Sequence, residues 1–299
     1  MGGGGGMPRV LREPSESHAA VDAMRAAGKR IGFVPTMGAL HAGHTSLMER
    51  ARRECDALVV SIYVNPLQFG PNEDFAQYPR PVEDDLATCE QYGVDLVLHL
   101  DEGAMNPPGY ATFVEVEGVS APLEGHRRPG HFRGVATVVA KLFHLAKPHR
   151  AYFGQKDAQQ AVVVDKMARE LNVDVDIVCC PIVREADGLA LSSRNVYLSA
   201  EERAQAPALY EGLQAALRCY DAGERRCAAL CDAVRAVLVQ RAPDLRLDYV
   251  AACEPSTFEP LAPEASVGER AVLAVAAFLG QTRLIDNQML PAGAPLLGH

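Results

Sequence analysis

The stretch that decides the fold is Pro35-Thr36-Met37-Gly38-Ala39-Leu40-His41-Ala42-Gly43-His44. It follows a short apolar run, Ile31–Val34, which is typical of a buried strand, and it precedes Thr45–Cys55, where apolar residues recur at helical spacing. A turn from strand to helix leaves backbone N–H groups unpaired at the helix start and therefore attracts anions such as phosphate. Its glycines let a ligand approach the backbone closely, and its histidines can share one helical face. The stretch therefore predicts a phosphate-binding turn.

A pair of histidines at this spacing has other interpretations. His41 and His44 are also compatible with a solvated surface or with half of a metal site. A metal site needs three or four ligands, and the glutamate of a His-Glu-x-x-His protease helix is absent. From these residues alone the phosphate site and the solvated surface stay open, and no residue is predicted to bind a metal directly.

Strands and helices alternate through the first half of the chain. Ala57–Val64 and Val94–Leu100 are apolar runs of the buried, parallel type, and a helical stretch lies between them. This alternation predicts the α/β class, with a Rossmann-like, doubly wound parallel sheet that binds ligands at the carboxyl ends of its strands. His44, Asn65 and Gln68 each lie just past the end of a predicted strand, which favours the phosphate interpretation.

Three further segments carry donors that suit an anion. Gly125–Gly134 is a basic loop before a long predicted helix. Lys156 follows a short strand at Ala151–Phe153, where its ammonium can act as a mobile charge on a phosphate. Ser192–Arg194 places two hydroxyls beside a guanidinium. Each segment also has an ordinary interpretation, because basic loops and Ser-Ser-Arg tripeptides are common on protein surfaces.

The character of the sequence changes near Ser199. Two helices rich in Ala and Leu, Ala200–Tyr220 and Ala228–Gln240, precede several strand-like runs, a pattern that indicates a small α+β unit. We therefore expect a Rossmann-like, nucleotide-binding domain over residues 7–183, with a further short strand at Thr112–Val116. The smaller α+β domain over residues 184–299 would act as a lid over the nucleotide, and residues 1–6 would form a disordered glycine leader.

Composition argues against several classes of protein. The 299 residues carry a formal net charge of −9, which argues against broad binding to nucleic acids or to anionic membranes. An apolar run of about 18 residues is absent, so no membrane span is expected. The eight cysteines form no Cys-x-x-Cys pair, which favours free thiols in a reducing cytoplasm. The glycine-rich loops of P-loop kinases and dehydrogenases and the nucleophile elbow of serine hydrolases are also absent.

Five motifs together resemble the pantoate–β-alanine ligase family, which belongs to the nucleotidyltransferases with a His-x-Gly-His motif. They occur in the family's order, at Val34–His44, Val64–Phe69, Arg128–Val135, Gly154–Asp157 and Leu191–Leu198. They cover most of residues 30–200 and are jointly very specific. The chain departs from the family pattern in its glycine leader and at Ala158, where a larger residue is usual. We expect the change at Ala158 to alter packing more than chemistry.

The resemblance implies a two-step reaction. ATP adenylates the carboxylate of (R)-pantoate and releases pyrophosphate. The amine of β-alanine then attacks the pantoyl adenylate, which gives pantothenate and AMP. The resemblance further implies that Mg²⁺ bridges phosphate oxygens, that pantoate binds in the first domain, and that the enzyme is a homodimer.

The resemblance also implies the site residues. His44 is the proton donor and acts with His41, while Lys156, Ser192, Ser193 and Arg194 neutralise the departing pyrophosphate. Pantoate is held by Gln68, which also borders the β-alanine position, and by Gln160, with Asn65, Arg128 and His131 as further residues of the substrate pocket. The ATP site comprises Pro35, Thr36, Met37, Gly38, Ala39, Leu40, His41, Ala42, Gly43, His44, Gly154, Gln155, Lys156, Asp157, Val183, Leu191, Ser192, Ser193 and Arg194.

Two alternatives stay open from the sequence. The first is another adenylyl-transferring enzyme of the same histidine motif, against which the glutamine pair and the Ser-Ser-Arg-Asn loop argue. A synthetase that charges tRNA would in addition need a basic surface, which the net charge of −9 disfavours. The second is a non-catalytic ATP-binding module, which would not require both histidines together with Lys156 and Arg194.

Overall fold

The computed structural model of the chain describes residues 6–71 and 73–298. Within these residues the first unit contains strands β1–β6, helices α1–α7 and short 3₁₀ turns. The strands are Arg9–Leu11, Ile31–Thr36, Ala57–Ile62, Leu96–Leu98, Arg150–Gly154 and Asp176–Cys180. The helices are Pro14–Ala26, Ala42–Glu54, Val82–Gln91, Glu102–Met105, Glu124–Arg127, His131–Ala146 and Ala158–Glu170. The 3₁₀ turns are Pro66–Gln68, Gln155–Asp157 and Ser193–Tyr197.

Strands β1–β6 form a parallel sheet in the order β1-β4-β3-β2-β5-β6. The chain runs outward from β2 through β3 and β4, and then returns to the other side of β2 for β5 and β6. The strand order thus reverses between β2 and β5, and a doubly wound sheet binds its ligands in the crevice at such a point. The predicted α/β class and doubly wound parallel sheet are confirmed.

The sheet is buried on both faces, and its central strands β2 and β3 are apolar except for the buried Thr36 and Ser61. Side chains alternate along β2, so neighbouring residues pack against helices on opposite sides. Phe33 meets Phe143 of α6 edge to face, with ring centroids 6.4 Å apart. Val34 belongs to the opposite cluster, with Leu47 and Met48 of α2. The start of α2 and the turn after β5 are therefore held at the same edge of a rigid sheet.

The second unit is a small α+β layer, as predicted. Over the described residues it contains helices α8–α10 and strands β7–β9, and the strands form an antiparallel sheet in the order β7-β8-β9. The helices are Ala200–Gln205, Ala208–Asp221 and Cys227–Arg241. The strands are Arg246–Cys253, Ala271–Leu279 and Thr282–Leu290.

Strand β8 is buried on both sides. Leu273 and Val275 belong to an apolar cluster that includes Leu213 of α9. Val272 and Ala274 belong instead to the main core of the first unit. The antiparallel sheet therefore joins the two units through a common apolar core. The boundary after residue 183 and the function of the second unit as a lid stay predictions.

One predicted strand is wrong. Thr112–Val116 alternates apolar and polar residues but is not a strand in the structure. The N–H of Val114 donates a hydrogen bond to Thr137 Oγ1 at 2.9 Å, so a side chain replaces the ladder partner that a strand would need. The alternation reflects packing of an extended segment against α6.

Other differences concern element ends. The helix predicted over Ala200–Tyr220 is interrupted near Pro207, which lacks an N–H for the helical hydrogen bond. Strand β1 was not predicted, since three residues carry too little periodicity. Of the predicted glycine leader, residues 1–5 lie outside the described residues. Among the helices that are described, none is both long and apolar enough to cross a membrane.

Candidate active site

A cavity of about 220 Å³ opens at the carboxyl ends of β2 and β5, and residues from all five sequence motifs line it. The motifs are far apart along the chain, and the strand order brings them together. The predicted site residues that line the cavity are Pro35, Thr36, Met37, His41, Gly43, His44, Asn65, Gln68, Arg128, His131, Gly154, Lys156, Asp157, Gln160, Val183, Leu191, Ser192, Ser193 and Arg194.

The other predicted ATP-site residues do not line this cavity: Gly38, Ala39, Leu40, Ala42 and Gln155. The first three form the turn before α2, and their backbone faces a buried carboxylate. Asp85 accepts hydrogen bonds from the N–H groups of Ala39 and Leu40 at 2.9 and 2.8 Å. These residues therefore shape the turn, and their contact with ATP stays a prediction.

His41 and His44 are oriented by the start of α2. His41 is the N-cap, and its Nδ1 accepts from the Gly43 N–H at 3.1 Å. His44 Nδ1 accepts from the His41 N–H at 3.3 Å. A neutral ring that accepts at Nδ1 carries its proton on Nε2. The helix start therefore leaves each imidazole with Nε2–H as its free donor, and the two ring centroids are 4.1 Å apart.

Both histidines are neutral at physiological pH. Burial, with a smaller contribution from Lys156, lowers the pKa of His41 to about 4. Burial, with a smaller contribution from His41, lowers the pKa of His44 to about 3. An unperturbed imidazole gains its proton near pH 6.5, whereas both of these rings stay neutral until the pH is well below that value. The pair thus supplies two neutral N–H donors to the cavity.

Two cations line the same cavity. Lys156 lies on the turn after β5, with its Nζ 3.5 Å from Asp157 Oδ1. Arg194 follows the two serines, and both Nε and Nη2 donate to the carboxylate of Asp74 at 2.9 Å. The guanidinium also lies 5.8 Å from the ring centre of Tyr78. Lys156 and Arg194 therefore line the same cavity as the two imidazoles, as predicted from the motifs.

Asn65, Gln68 and His131 form one hydrogen-bonded group. Asn65 Nδ2 donates to Gln68 Oε1 and to the carbonyl of Gly134, each at 3.1 Å. His131 Nδ1 lies 2.9 Å from the Gln68 carbonyl, and its Nε2 lies 3.1 Å from Arg128 Nη1. Since arginine only donates, His131 accepts at Nε2 and donates from Nδ1 to the carbonyl. Asn65 and His131 therefore orient Gln68 and Arg128.

Gly134 allows this group to form, and an added side chain should disrupt it. A Cβ at Gly134 would lie 2.2 Å from the carbonyl oxygen of Leu67. We expect Gly134→Ala to lower the free energy of unfolding by about 1–3 kcal/mol through overpacking and to raise the KM for the substrate that binds beside Gln68. Thermal unfolding and steady-state kinetics check this. Gly103→Ala is the matched control, because nothing lies within 4 Å of a Cβ there; equal effects at both positions would contradict the prediction.

Some residues that hydrogen-bond to the site residues lie outside the five motifs and were not predicted from the sequence. Asp74 and Tyr78 contact Arg194 and Ser193, with Tyr78 Oη 3.2 Å from Ser193 Oγ. Asn287 of β9 donates from Nδ2 to the carbonyls of Gln155 and Lys156 at 2.8 and 3.1 Å. The acidic loop after β3 was a usable signal for Asp74, but nothing in the sequence pointed to the contacts of Asn287.

Comparison with known proteins identifies the family. The model of the Pantoate-beta-alanine ligase family matches residues 9–289. The chain belongs to this family. A pantothenate synthetase of Koribacter versatilis is 50% identical over 290 residues, which cover 97% of this chain and 98% of the relative. Another, from Chloroflexus aurantiacus, is 55% identical over 266 residues, with 89% and 94% covered.

Solved structures of this ligase family have the same fold as this chain. The pantothenate synthetase of Thermus thermophilus superposes with a TM-score of 0.87 at 48% identity, covering 93% of this chain and 98% of that one. The pantoate-beta-alanine ligase of Francisella tularensis, complexed with beta-gamma ATP and beta-alanine, gives 0.77 at 32% identity over 96% and 99%. The predicted family and ligase activity are thereby confirmed.

Proposed function

We propose that the chain condenses (R)-pantoate with β-alanine in two steps, through a pantoyl adenylate formed from ATP. One observation carries the proposal: His41, His44, Lys156 and Arg194 line the same cavity. Two neutral N–H donors and two cations around one space suit a triphosphate whose negative charge shifts during nucleotidyl transfer. The ATP and β-alanine bound by the F. tularensis ligase support the same substrates here.

In the first step, the pantoate carboxylate attacks the α-phosphorus in line, and pyrophosphate leaves. The Nε2–H groups of His41 and His44 donate hydrogen bonds to the phosphate oxygens on which charge develops. Lys156, Arg194 and the hydroxyls of Ser192 and Ser193 neutralise the departing pyrophosphate. The chain thus contributes charge stabilisation and positioning and forms no covalent bond with the substrate.

Gln68 and Gln160 hold pantoate beside the phosphate site. Gln68 Nε2 donates to the sulfur of Met37 at 3.2 Å, and a thioether is a weak acceptor that a substrate hydroxyl can replace. In the second step, the β-alanine amine attacks the activated carbonyl and AMP leaves. Since both imidazoles are weak bases at their lowered pKa, this step depends on holding the amine next to the carbonyl.

Magnesium enters this proposal with ATP. Among the described residues, no group of three His, Cys, Asp or Glu side chains is placed to hold a metal ion. Mg²⁺ is commonly bound through one or two carboxylates together with substrate phosphates, and Asp157 is a cavity carboxylate beside Lys156. When bound, Mg²⁺ would neutralise charge on the phosphates.

The cellular setting is proposed from the cysteines and from the family. All eight cysteines are free thiols, which fits a reducing compartment, and we propose the cytoplasm. The homodimer that the family resemblance implies stays part of the proposal.

The proposal is tested by the exchange of labelled pyrophosphate into ATP. We expect exchange to require (R)-pantoate and Mg²⁺ but not β-alanine, because the adenylate forms in the first step alone. The (S) enantiomer of pantoate is the matched control and should support little exchange. Exchange that proceeds without pantoate would contradict the assignment, and it would favour a different adenylyl-transferring reaction.

A further inference from the structure

Two neighbouring carboxylates of one loop hold the two arginines of the site. Glu73 accepts from Nε and Nη2 of Arg128, each at 2.7 Å. Asp74 accepts from Nε and Nη2 of Arg194, each at 2.9 Å. All four side chains are largely shielded, with exposed fractions between 18% and 28%. We call Glu73 and Asp74 the acidic pair.

The acidic pair occupies the guanidinium edges that substrates would need. The Nε–Nη2 edge of an arginine presents two parallel N–H donors, which match a carboxylate or a phosphate bidentately. Arg128 and Arg194 line the cavity, whereas the cavity is not lined by the acidic pair. Each carboxylate therefore holds the bidentate Nε–Nη2 edge of an arginine whose side chain lines the cavity.

We propose that Glu73 and Asp74 are exchangeable counter-anions, which the anionic groups of the substrates displace from the two arginines. The inference rests on the proposed function, which places a triphosphate at Arg194 and a carboxylic acid near Arg128. Before ATP binds, Asp74 neutralises Arg194 through the bidentate ion pair. When ATP binds, a phosphate oxygen replaces the Asp74 carboxylate, and the full charge of Arg194 becomes available.

If ATP displaces the Asp74 carboxylate from Arg194, removing that carboxylate should have the opposite effect on the KM for ATP from the one expected if Asp74 permanently supports Arg194. If Asp74 must leave, then Asp74→Asn, which keeps the shape and removes the charge, should bind ATP more tightly. We expect the KM for ATP to fall about fivefold, the effect of one partly screened ion pair, with kcat within about twofold of wild type. If Asp74 instead stays on Arg194 throughout, its loss should raise the KM for ATP and lower kcat.

The two halves of the acidic pair serve as controls for each other. Glu73→Gln should leave the KM for ATP unchanged and lower the KM for pantoate or for β-alanine, because its arginine lies near Gln68. Asp22→Asn is the matched control, since it removes an equal charge from an ion pair on the outer surface, 2.5 Å from Lys147 Nζ. It should change none of these constants.

The experiment measures kcat and the KM values for ATP and pantoate in pantoate-dependent pyrophosphate exchange, and the KM for β-alanine in the full reaction. Thermal unfolding of each variant checks its folding. Asp74→Ser is a second variant in case Asp74→Asn does not fold. A lower KM for ATP at unchanged kcat supports the inference. An unchanged or higher KM in an otherwise active enzyme overturns it, whereas failure of wild-type exchange overturns the proposed function itself.

Discussion

Replacing His44 with asparagine is expected to slow pantoate-dependent pyrophosphate exchange by about one hundred- to one thousandfold, the usual cost of removing one donor from a site of developing negative charge. Asparagine places Oδ1 near the position of the imidazole Nδ1, so it can still accept from the His41 N–H. It lacks the Nε2–H donor. The fold should therefore survive while the phosphate contact is lost.

His44→Gln separates the two functions of the ring. Its amide nitrogen lies near the position of Nε2, so it keeps a donor for the phosphate but weakens the helix cap. We expect His44→Gln to retain more exchange activity than His44→Asn and to lose more stability, by roughly 0.5–2 kcal/mol, as for other lost caps. Near wild-type exchange in His44→Asn would show that the donor assigned to His44 is wrong.

Replacing Arg283 with methionine is expected to destabilise the protein by about 3–5 kcal/mol, because it leaves a buried carboxylate without its partner. Arg283 Nη1 and Nη2 donate to Glu124 at 2.6 and 2.7 Å, and the Glu124 side chain is 9% exposed. Tyr249 also donates to Glu124, at 2.7 Å. This group joins β7 and β9 to α5, so its loss weakens the contact between the two units. Chemical denaturation measures the change.

The pH dependence of this variant gives a second check. Burial favours a raised pKa for Glu124, but hydrogen bonds from Arg283 and Tyr249 hold it below its usual range. A carboxylate with a depressed pKa stabilises the fold at pH values above its unfolded pKa, and this stability is lost as the pH falls through the folded pKa. The difference between wild type and Arg283→Met should therefore shrink in acid.

An exposed ion pair provides the matched control for Arg283. Arg226 pairs with Glu224 at 2.8 Å, and its side chain is 69% exposed. We expect Arg226→Met to leave the free energy of unfolding nearly unchanged, since surface pairs contribute little. Equal losses in the two variants would show that burial of Glu124 is unimportant.

The sequence predicted the strands that have a local apolar pattern and the site residues that follow the carboxyl ends of those strands. The apolar runs identified β2 and β3, and their carboxyl ends explained why His44, Asn65 and Gln68 converge. Alternation misled at Thr112–Val116, because an extended segment that packs on a helix has the same pattern as a strand.

Contacts between segments that are distant along the chain could not be predicted from the sequence. The bond from Asn287 to the Lys156 carbonyl and the bidentate pair of Asp74 with Arg194 depend on the packed structure, not on spacing. Asp85, which holds the turn before α2, looks in the sequence like an ordinary acidic residue in the first turn of a helix. Such residues support the motifs but carry no motif of their own.

The double-sided burial of β8 limits how the enzyme can open. A wide hinge rotation of the C-terminal unit would separate Val272 and Ala274 from the core of the first unit and expose their apolar surface to water. Domains joined by a large hydrophobic contact do not move freely, and small sliding of packed elements replaces the hinge. Entry of substrates and release of pyrophosphate are therefore expected to depend on local loop movement rather than on a clamshell motion.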